Sequence, residues 1–187
     1  PRFARAPRGR RLSARMGGAG LSTAAGRGRL LERERELGLL AGLVGQAADG
    51  DGQFAIVDGP AGIGKTSLLA EVRRLAQESS LRVLSARGGE LEREFPFGVV
   101  RQLFEPALVE ADASKLLAGA AAPAAPVFAT LDIGGGQATD PSFSVLHGLF
   151  WLVVNLSGDR PLLLAIDDLQ WSDHASLRFL AYLVRRL

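Results

Sequence analysis

The spacing of apolar side chains predicts an alternation of helices and strands from residue 30 onward. Apolar residues recur at helical spacing in segments that cover 30–44, 65–77, 97–109, 143–156 and 172–187. Ser172 is the expected cap of the last of these helices. Short apolar runs predict buried strands at 53–58, 81–86 and 162–166. Because strands alternate with helices, we predict an α/β fold with a parallel sheet and right-handed crossovers.

Two parts of the chain lack the regular spacing of apolar residues that predicts a helix or a strand. Residues 1–28 are rich in Arg, Gly, Ala and Ser, which predicts a disordered basic tail ahead of a folded domain over 29–187. Residues 118–129 are rich in Ala and Pro and are followed by the glycine run 134–136, so this region is expected to be a flexible connection. The chain begins at Pro1 and ends inside a helical pattern, so we expect a domain that is truncated at its C-terminus.

The basic character of the chain is confined to its N-terminal tail. Eight of the 22 basic residues lie in 1–29, where there is no acid, so residues 30–187 carry 14 basic and 20 acidic residues and a net charge of −6. The predicted domain therefore lacks the charge balance typical of nucleic-acid or membrane partners. Since the chain has no cysteine, a disulfide framework and a thiolate metal site are excluded. No apolar run reaches membrane-spanning length, and we expect a cytoplasmic protein without a membrane partner.

A phosphate-binding motif lies between the first predicted strand and the helix at 65–77. Residues 59–66 read Gly-Pro-Ala-Gly-Ile-Gly-Lys-Thr and match the pattern G-x-x-x-x-G-K-[ST] in the strand-to-helix context that it requires. Glycines let the backbone approach phosphate oxygens, while the loop and the helix N-terminus direct N–H groups towards them. Lys65 is expected to reach the β- and γ-phosphates, and Thr66 to offer its hydroxyl to Mg²⁺. We therefore predict that ATP with Mg²⁺ is bound by Gly59, Pro60, Ala61, Gly62, Ile63, Gly64, Lys65, Thr66 and Ser67.

Two carboxylates follow the strand predicted at 162–166. Ligands of open α/β sheets bind at the carboxyl ends of the strands, so Asp167 is expected beside the phosphate motif, where it would hold Mg²⁺. Asp168 is predicted to face the other way and to orient or activate the attacking water. A second interpretation stays open, in which Asp168 only supports its neighbours in an enzyme that hydrolyses ATP slowly. His147, on an apolar helix, is expected to be a packing residue.

Four stretches taken together resemble one family. They cover 30–37, 59–69, 94–104 and 160–173, with the sequences LLEREREL, GPAGIGKTSLL, EFPFGVVRQLF and RPLLLAIDDLQWSD. In this order and spacing they resemble the N-terminal ATPase domain of the large LuxR-type ATP-binding transcriptional regulators of actinobacteria. These regulators belong to the signal-transduction ATPases with numerous domains, abbreviated STAND.

The resemblance implies a three-layer P-loop ATPase of the AAA and STAND type that works as an ATP-driven switch. It implies that Arg33 lies near the adenine, in a box where Glu32 stands in place of the usual glycine. It also implies that DNA is bound only through a C-terminal helix-turn-helix domain beyond this part, and we expect ATP to gate self-association. Two alternatives fit the same motifs, namely an AAA-type ATPase that performs mechanical work and the ATPase module of a kinase or cyclase fusion.

Overall fold

The predicted strands and helices occur in the predicted order, and the structure adds one short strand and two short helices. A computed structural model describes residues 10–13, 33–129 and 142–187, with only the backbone for 10–13 and for Glu92. The strands are β1 (Arg10–Ser13), β2 (Ala55–Asp58), β3 (Arg82–Arg87) and β4 (Leu162–Asp167). The helices are α1 (Glu34–Ala48), α2 (Lys65–Glu78), α3 (Gly98–Glu110), α4 (Ala113–Leu116), α5 (Ala125–Phe128), α6 (Phe143–Leu156) and α7 (His174–Val184). Short 3₁₀ turns lie at Glu90–Glu92, Gly119–Ala124 and Leu169–Trp171.

Strand pairing is parallel, as the alternating pattern predicted. β3 and β4 pair in register from Arg82 opposite Leu162 to Arg87 opposite Asp167. β2 pairs in parallel with β1, a short strand inside the region that was predicted to be a disordered tail. The other residues of that tail, and the glycine run 134–136, lie outside the described residues. The α/β class with parallel strands is confirmed, and the β3–β4 register brings the carboxyl ends of the two strands together.

The β3–β4 pair carries a hydrophobic core on each of its faces. Neighbouring residues of a strand point to opposite faces, so Leu84 and Leu164 face one way while Val83 and Leu163 face the other. Leu84 and Leu164 pack against α3, α6 and α7. Val83 and Leu163 pack against α1 and α2. Since α2 begins at Lys65, its packing on the sheet holds the end of the phosphate motif near the end of β4.

The segment 118–129, predicted to be a flexible connection, is instead packed into the core. It forms a 3₁₀ turn and helix α5, and Ala121 and Ala124 are completely buried against α6. The close approach depends on Gly148 of α6, because a Cβ at that position would lie 2.7 Å from the backbone nitrogen of Ala124. The prediction was wrong because a composition of small residues, which is typical of linkers, also suits close packing of one backbone on another.

The last helix has a different cap from the one predicted. Asp173 rather than Ser172 is the N-cap of α7, and its Oδ1 accepts the backbone N–H of Ser176 at 2.8 Å. The same buried carboxylate accepts the backbone N–H groups of Phe97 at 2.8 Å and Val99 at 3.3 Å, where α3 begins. The buried hydroxyl of Ser172 has no hydrogen-bond partner among the described residues. One carboxylate thus joins the N-termini of two helices, a contact that the short-range capping pattern does not reveal.

Candidate phosphate-binding site

The loop after β2 owes its shape to two glycines in the left-handed region of backbone conformation. Gly62 has φ +76° and Gly64 has φ +87°, values that residues with a side chain rarely adopt. Gly64 is also the N-cap of α2. Gly59 does not have a positive φ, but a Cβ there would lie 3.3 Å from Cγ2 of Ile63. Gly62 and Gly64 are therefore required by the turn itself, while a side chain at Gly59 would need Ile63 to shift by a few tenths of an ångström.

The start of α2 leaves backbone N–H groups free to bind an anion. The first hydrogen bond of the helix runs from the N–H of Leu68 to the carbonyl oxygen of Gly64 at 3.0 Å. The N–H groups of residues 65–67 consequently have no partner within the helix. Together with the partial positive charge of a helix N-terminus, they suit a phosphate group.

Two cationic side chains contact the loop. The Nζ of Lys65 donates hydrogen bonds to the carbonyl oxygens of Gly59 at 2.8 Å and Pro60 at 3.0 Å. Arg33, the residue before α1, donates from its guanidinium to the carbonyl oxygen of Ile63. The structure therefore brings Arg33 to the phosphate loop, while its position relative to an adenine stays a prediction.

Two side-chain oxygens from distant parts of the chain meet where α2 approaches β4. The Oγ1 of Thr66 donates to Oδ2 of Asp167 at 2.8 Å, and Oδ1 of Asp167 accepts the backbone N–H of Asp168 at 3.0 Å. Hydroxyl and carboxylate oxygens suit Mg²⁺, which usually takes its other ligands from water and phosphate. Among the described side chains, no group of three or more acids and histidines converges on a metal position. A cation at this pair would thus need further ligands from outside the described side chains.

Asp168 has a left-handed backbone and an ion-paired side chain. Its φ is +51°, at the point where β4 passes into a 3₁₀ turn. Its Oδ2 accepts from Nε of Arg87 at 2.8 Å and from Nη2 at 2.7 Å, and its Oδ1 accepts from Nε2 of Gln170 at 3.1 Å. The hydrogen bonds of Arg87 and then of Gln170 hold the pKa of Asp168 below its ordinary value. Asp168 is therefore a carboxylate whose oxygens already have donors.

Arg87 and Gln170 were missed by sequence reasoning. Arg87 is 81 positions from Asp168, so no local pattern connects the two. The sequence did place Arg87 directly after the strand predicted at 81–86. Because the carboxyl ends of neighbouring parallel strands meet at one edge of a sheet, this position could have suggested that Arg87 lies near Asp168. The register that aligns Arg87 with Asp167 then sets the ion pair with the next residue.

The turn that follows β4 is held tightly against the end of β3. The N–H of Gly88 donates to the carbonyl oxygen of Asp167 at 3.0 Å. A Cβ at Gly88 would lie 2.4 Å from the carbonyl oxygen of Asp168 and 3.0 Å from the backbone nitrogen of Ser172. Because Asp173 also binds the start of α3, the turn that carries Asp168 is fixed at both of its ends.

His147 belongs to an aromatic cluster on α6 and α7. Its Nε2 accepts from Nε1 of Trp151 at 3.0 Å, and its Nδ1 lies 3.0 Å from the hydroxyl of Tyr182. The ring of Phe143 stacks on it, with centroids 5.9 Å apart. Both ring nitrogens have partners, as expected of a packing histidine.

A loop with free N–H groups between a strand and a helix, beside a strand that ends in aspartate, defines a P-loop nucleotide-binding domain. The chain matches the family model of the AAA ATPase domain over residues 29–187. It therefore belongs to the AAA ATPase domain family. The comparison with curated proteins and the comparison with solved structures each returned no match. Within the described part of the chain, no helix has the length and apolar character needed to cross a bilayer.

Proposed function

We propose that the domain binds ATP with Mg²⁺ and hydrolyses it slowly, as a switch rather than as a continuous motor. The contact between Thr66 and Asp167 is the observation that carries this proposal. It joins the end of the phosphate motif to the end of β4 across 101 positions of the chain, with a hydrogen bond of 2.8 Å between two groups suited to Mg²⁺. Family membership supports nucleotide binding independently of that contact.

In this proposal the phosphate groups are held by the backbone of the loop and by Lys65. The N–H groups of residues 61–67 surround the phosphate oxygens, and Lys65 exchanges its bonds to the loop carbonyls for bonds to the β- and γ-phosphates. Thr66 and Asp167 offer oxygen ligands to Mg²⁺, which when bound neutralises charge on the phosphate oxygens. Arg33 fixes the start of α1 against the loop.

Slow hydrolysis follows from the surroundings of Asp168. A carboxylate that orients or deprotonates water needs an oxygen free to accept from that water. Arg87 donates two hydrogen bonds to Oδ2 of Asp168 and Gln170 donates one to Oδ1, so these donors compete with water for the carboxylate, and a lowered pKa makes it a weaker base. In this proposal turnover is faster when Arg87 releases Asp168.

We further propose that the domain is the three-layer, STAND-type ATPase part of a cytoplasmic LuxR-type transcriptional regulator. The four sequence stretches described above support this, and the two cores on opposite faces of the β3–β4 pair agree with a three-layer arrangement. In such a protein ATP gates self-association, and DNA is bound through a separate C-terminal helix-turn-helix domain. Sedimentation with and without ATP tests the gated association, and a helix-turn-helix downstream in the same gene tests the regulator.

Calorimetric titration with a non-hydrolysable ATP analogue tests the nucleotide site. The variant Lys65→Ala is expected to lose binding, because it removes the one full charge on the loop that is placed to meet the phosphates. The chain has only two lysines, so Lys115→Ala is a matched control. The Lys115 side chain is 83% exposed, and within the described part of the chain its ion pair is with Asp112 of the same helical turn, at 3.6 Å.

The expected pattern is binding that depends on Mg²⁺ in the wild type and in Lys115→Ala, and loss of binding in Lys65→Ala. Circular dichroism of the same samples shows whether each variant is folded. Equal affinity of a folded Lys65→Ala and the wild type would contradict the proposed site.

A further inference from the structure

Strand β3 is paired on one side only within the described residues. Arg82 and Gly88 both donate their backbone N–H groups towards β4, at 2.8 Å and 3.0 Å. Peptide groups of a strand alternate in direction, so the even-numbered residues of β3 face β4. The backbone groups of Val83, Ser85 and Arg87 therefore point away from the sheet.

One of these outward backbone groups already makes the kind of hydrogen bond that a neighbouring strand would provide. The N–H of Arg87 donates to Oε1 of Gln102 on α3 at 3.0 Å, so a side-chain amide takes the place of a peptide carbonyl. For the backbone groups of Ser85 and Val83 the described residues provide no such partner. Both residues line a cavity of about 300 Å³ between β3 and α3.

Charged side chains line one end of this cavity, the end near the start of β3. Arg82 and Arg160 line it, together with Glu110 from the end of α3. No carboxylate pairs with either arginine in the described part of the chain, and Arg82 reaches only the carbonyl oxygen of Leu156 at 3.5 Å. Two cations against one anion favour a negatively charged group on the occupant.

We propose that this groove binds an extended, acidic peptide segment of a partner protein, which adds to β3 as a further strand. The outward N–H and C=O groups of Val83 and Ser85 repeat after two residues, a distance of about 6.6 Å in a strand. An extended peptide offers carbonyl and N–H groups with the same repeat. Its acidic side chain lies against Arg82 and Arg160. Strand β3 ends at Arg87, whose guanidinium holds Asp168, so the docked strand would run towards the candidate phosphate site.

Peptide binding to the full 187-residue chain tests the proposal. The probe is the peptide acetyl-Asp-Thr-Val-Thr-Val-Thr-Asp-amide, which presents an acid at either end for both strand directions. One control probe has lysine at both ends. Two others carry N-methyl groups on alternate amides, in the two possible phases, so that each blocks one edge of the peptide and leaves the side chains unchanged. Affinity is measured by calorimetry, and amide hydrogen exchange by NMR.

The acidic probe is expected to bind and to slow hydrogen exchange at Val83 and Ser85, with little effect at Leu84, which already faces β4. One N-methylated phase should bind about tenfold or more weakly, because it loses two or more hydrogen bonds. The probe with lysine ends, and the variant Arg160→Glu with the acidic probe, should each show binding weakened severalfold. Ser85→Pro should weaken binding about tenfold or more, because it removes an outward N–H that β4 does not use and places the proline ring on the edge that receives the peptide.

The peptide controls decide the question if Ser85→Pro fails to fold, because they leave the protein unchanged. The proposal is overturned if the acidic probe does not bind, if both N-methylated probes bind as tightly as it does, or if Val83 and Ser85 stay unprotected. Self-association that protects the same two amides in the absence of peptide would also overturn it, since the occupant would then be a second copy of the chain.

Discussion

The capping carboxylate of Asp173 offers the sharpest test of the structure. In the variant Asp173→Ala the backbone N–H groups of Phe97, Val99 and Ser176 lose their acceptor at once. All three residues are buried, so water cannot replace the lost bonds. Two helices, α3 and α7, lose their N-terminal partner in a single substitution.

The expected decrease in the free energy of unfolding follows from these contacts. Loss of an N-cap costs about 1 kcal/mol per helix, and a buried donor without a partner costs about 1–3 kcal/mol. Allowing for overlap between these contributions, we expect Asp173→Ala to lower the free energy of unfolding by roughly 3–5 kcal/mol. Asp173→Asn keeps the oxygen that serves Phe97 and Ser176 and loses the longer bond to Val99, so its expected cost is about 1–2 kcal/mol.

Urea denaturation followed by circular dichroism measures these differences, with Ser172→Ala as the neighbouring control. The buried hydroxyl of Ser172 has no partner among the described residues, so its removal should not destabilise the fold and can stabilise it by about 1 kcal/mol. The reasoning is refuted if Asp173→Ala stays within about 0.5 kcal/mol of the wild type. It is equally refuted if Ser172→Ala is the more damaging change, because Ser172 would then be the cap.

Two further predictions concern the site and the core. Arg87→Ala removes the main cause of the lowered pKa of Asp168, so this carboxylate should take up its proton at a higher pH. The acid limb of the pH–rate profile of ATP hydrolysis should shift to higher pH, while Arg74→Ala, which breaks two ion pairs on the surface of α2, should leave the profile unchanged. Gly148→Ala should destabilise the fold by about 1–3 kcal/mol, because its Cβ would meet the backbone of Ala124. Gly42→Ala, in an exposed part of α1 with nothing within 4 Å, should stabilise it by about 0.5–1 kcal/mol, and thermal melts of both variants compare the two.

Elements with a clear local signature were predicted well from the chain alone. Helices α2, α3 and α6 and strands β3 and β4 lie within a residue or so of their predicted bounds, because hydrophobic periodicity is a property of contiguous residues. The segment 118–129 was predicted wrongly, since its composition says nothing about the glycine on α6 that receives it. The cap of α7 was placed one residue early, because Ser and Asp are both good caps and only their distant partners separate them.

The phosphate motif itself was determined by the sequence. Its glycines, its lysine and its threonine act within eight consecutive residues, and the backbone conformation that they require is a local property. The pairing of Thr66 with Asp167, the ion pair of Arg87 with Asp168 and the two-helix cap of Asp173 were decided by the tertiary structure. Each depends on the register of β3 against β4 or on how helices pack against that pair. A shift of one residue in that register would turn every side chain of the strand to the other face, so the surroundings of both aspartates exist only in the folded sheet.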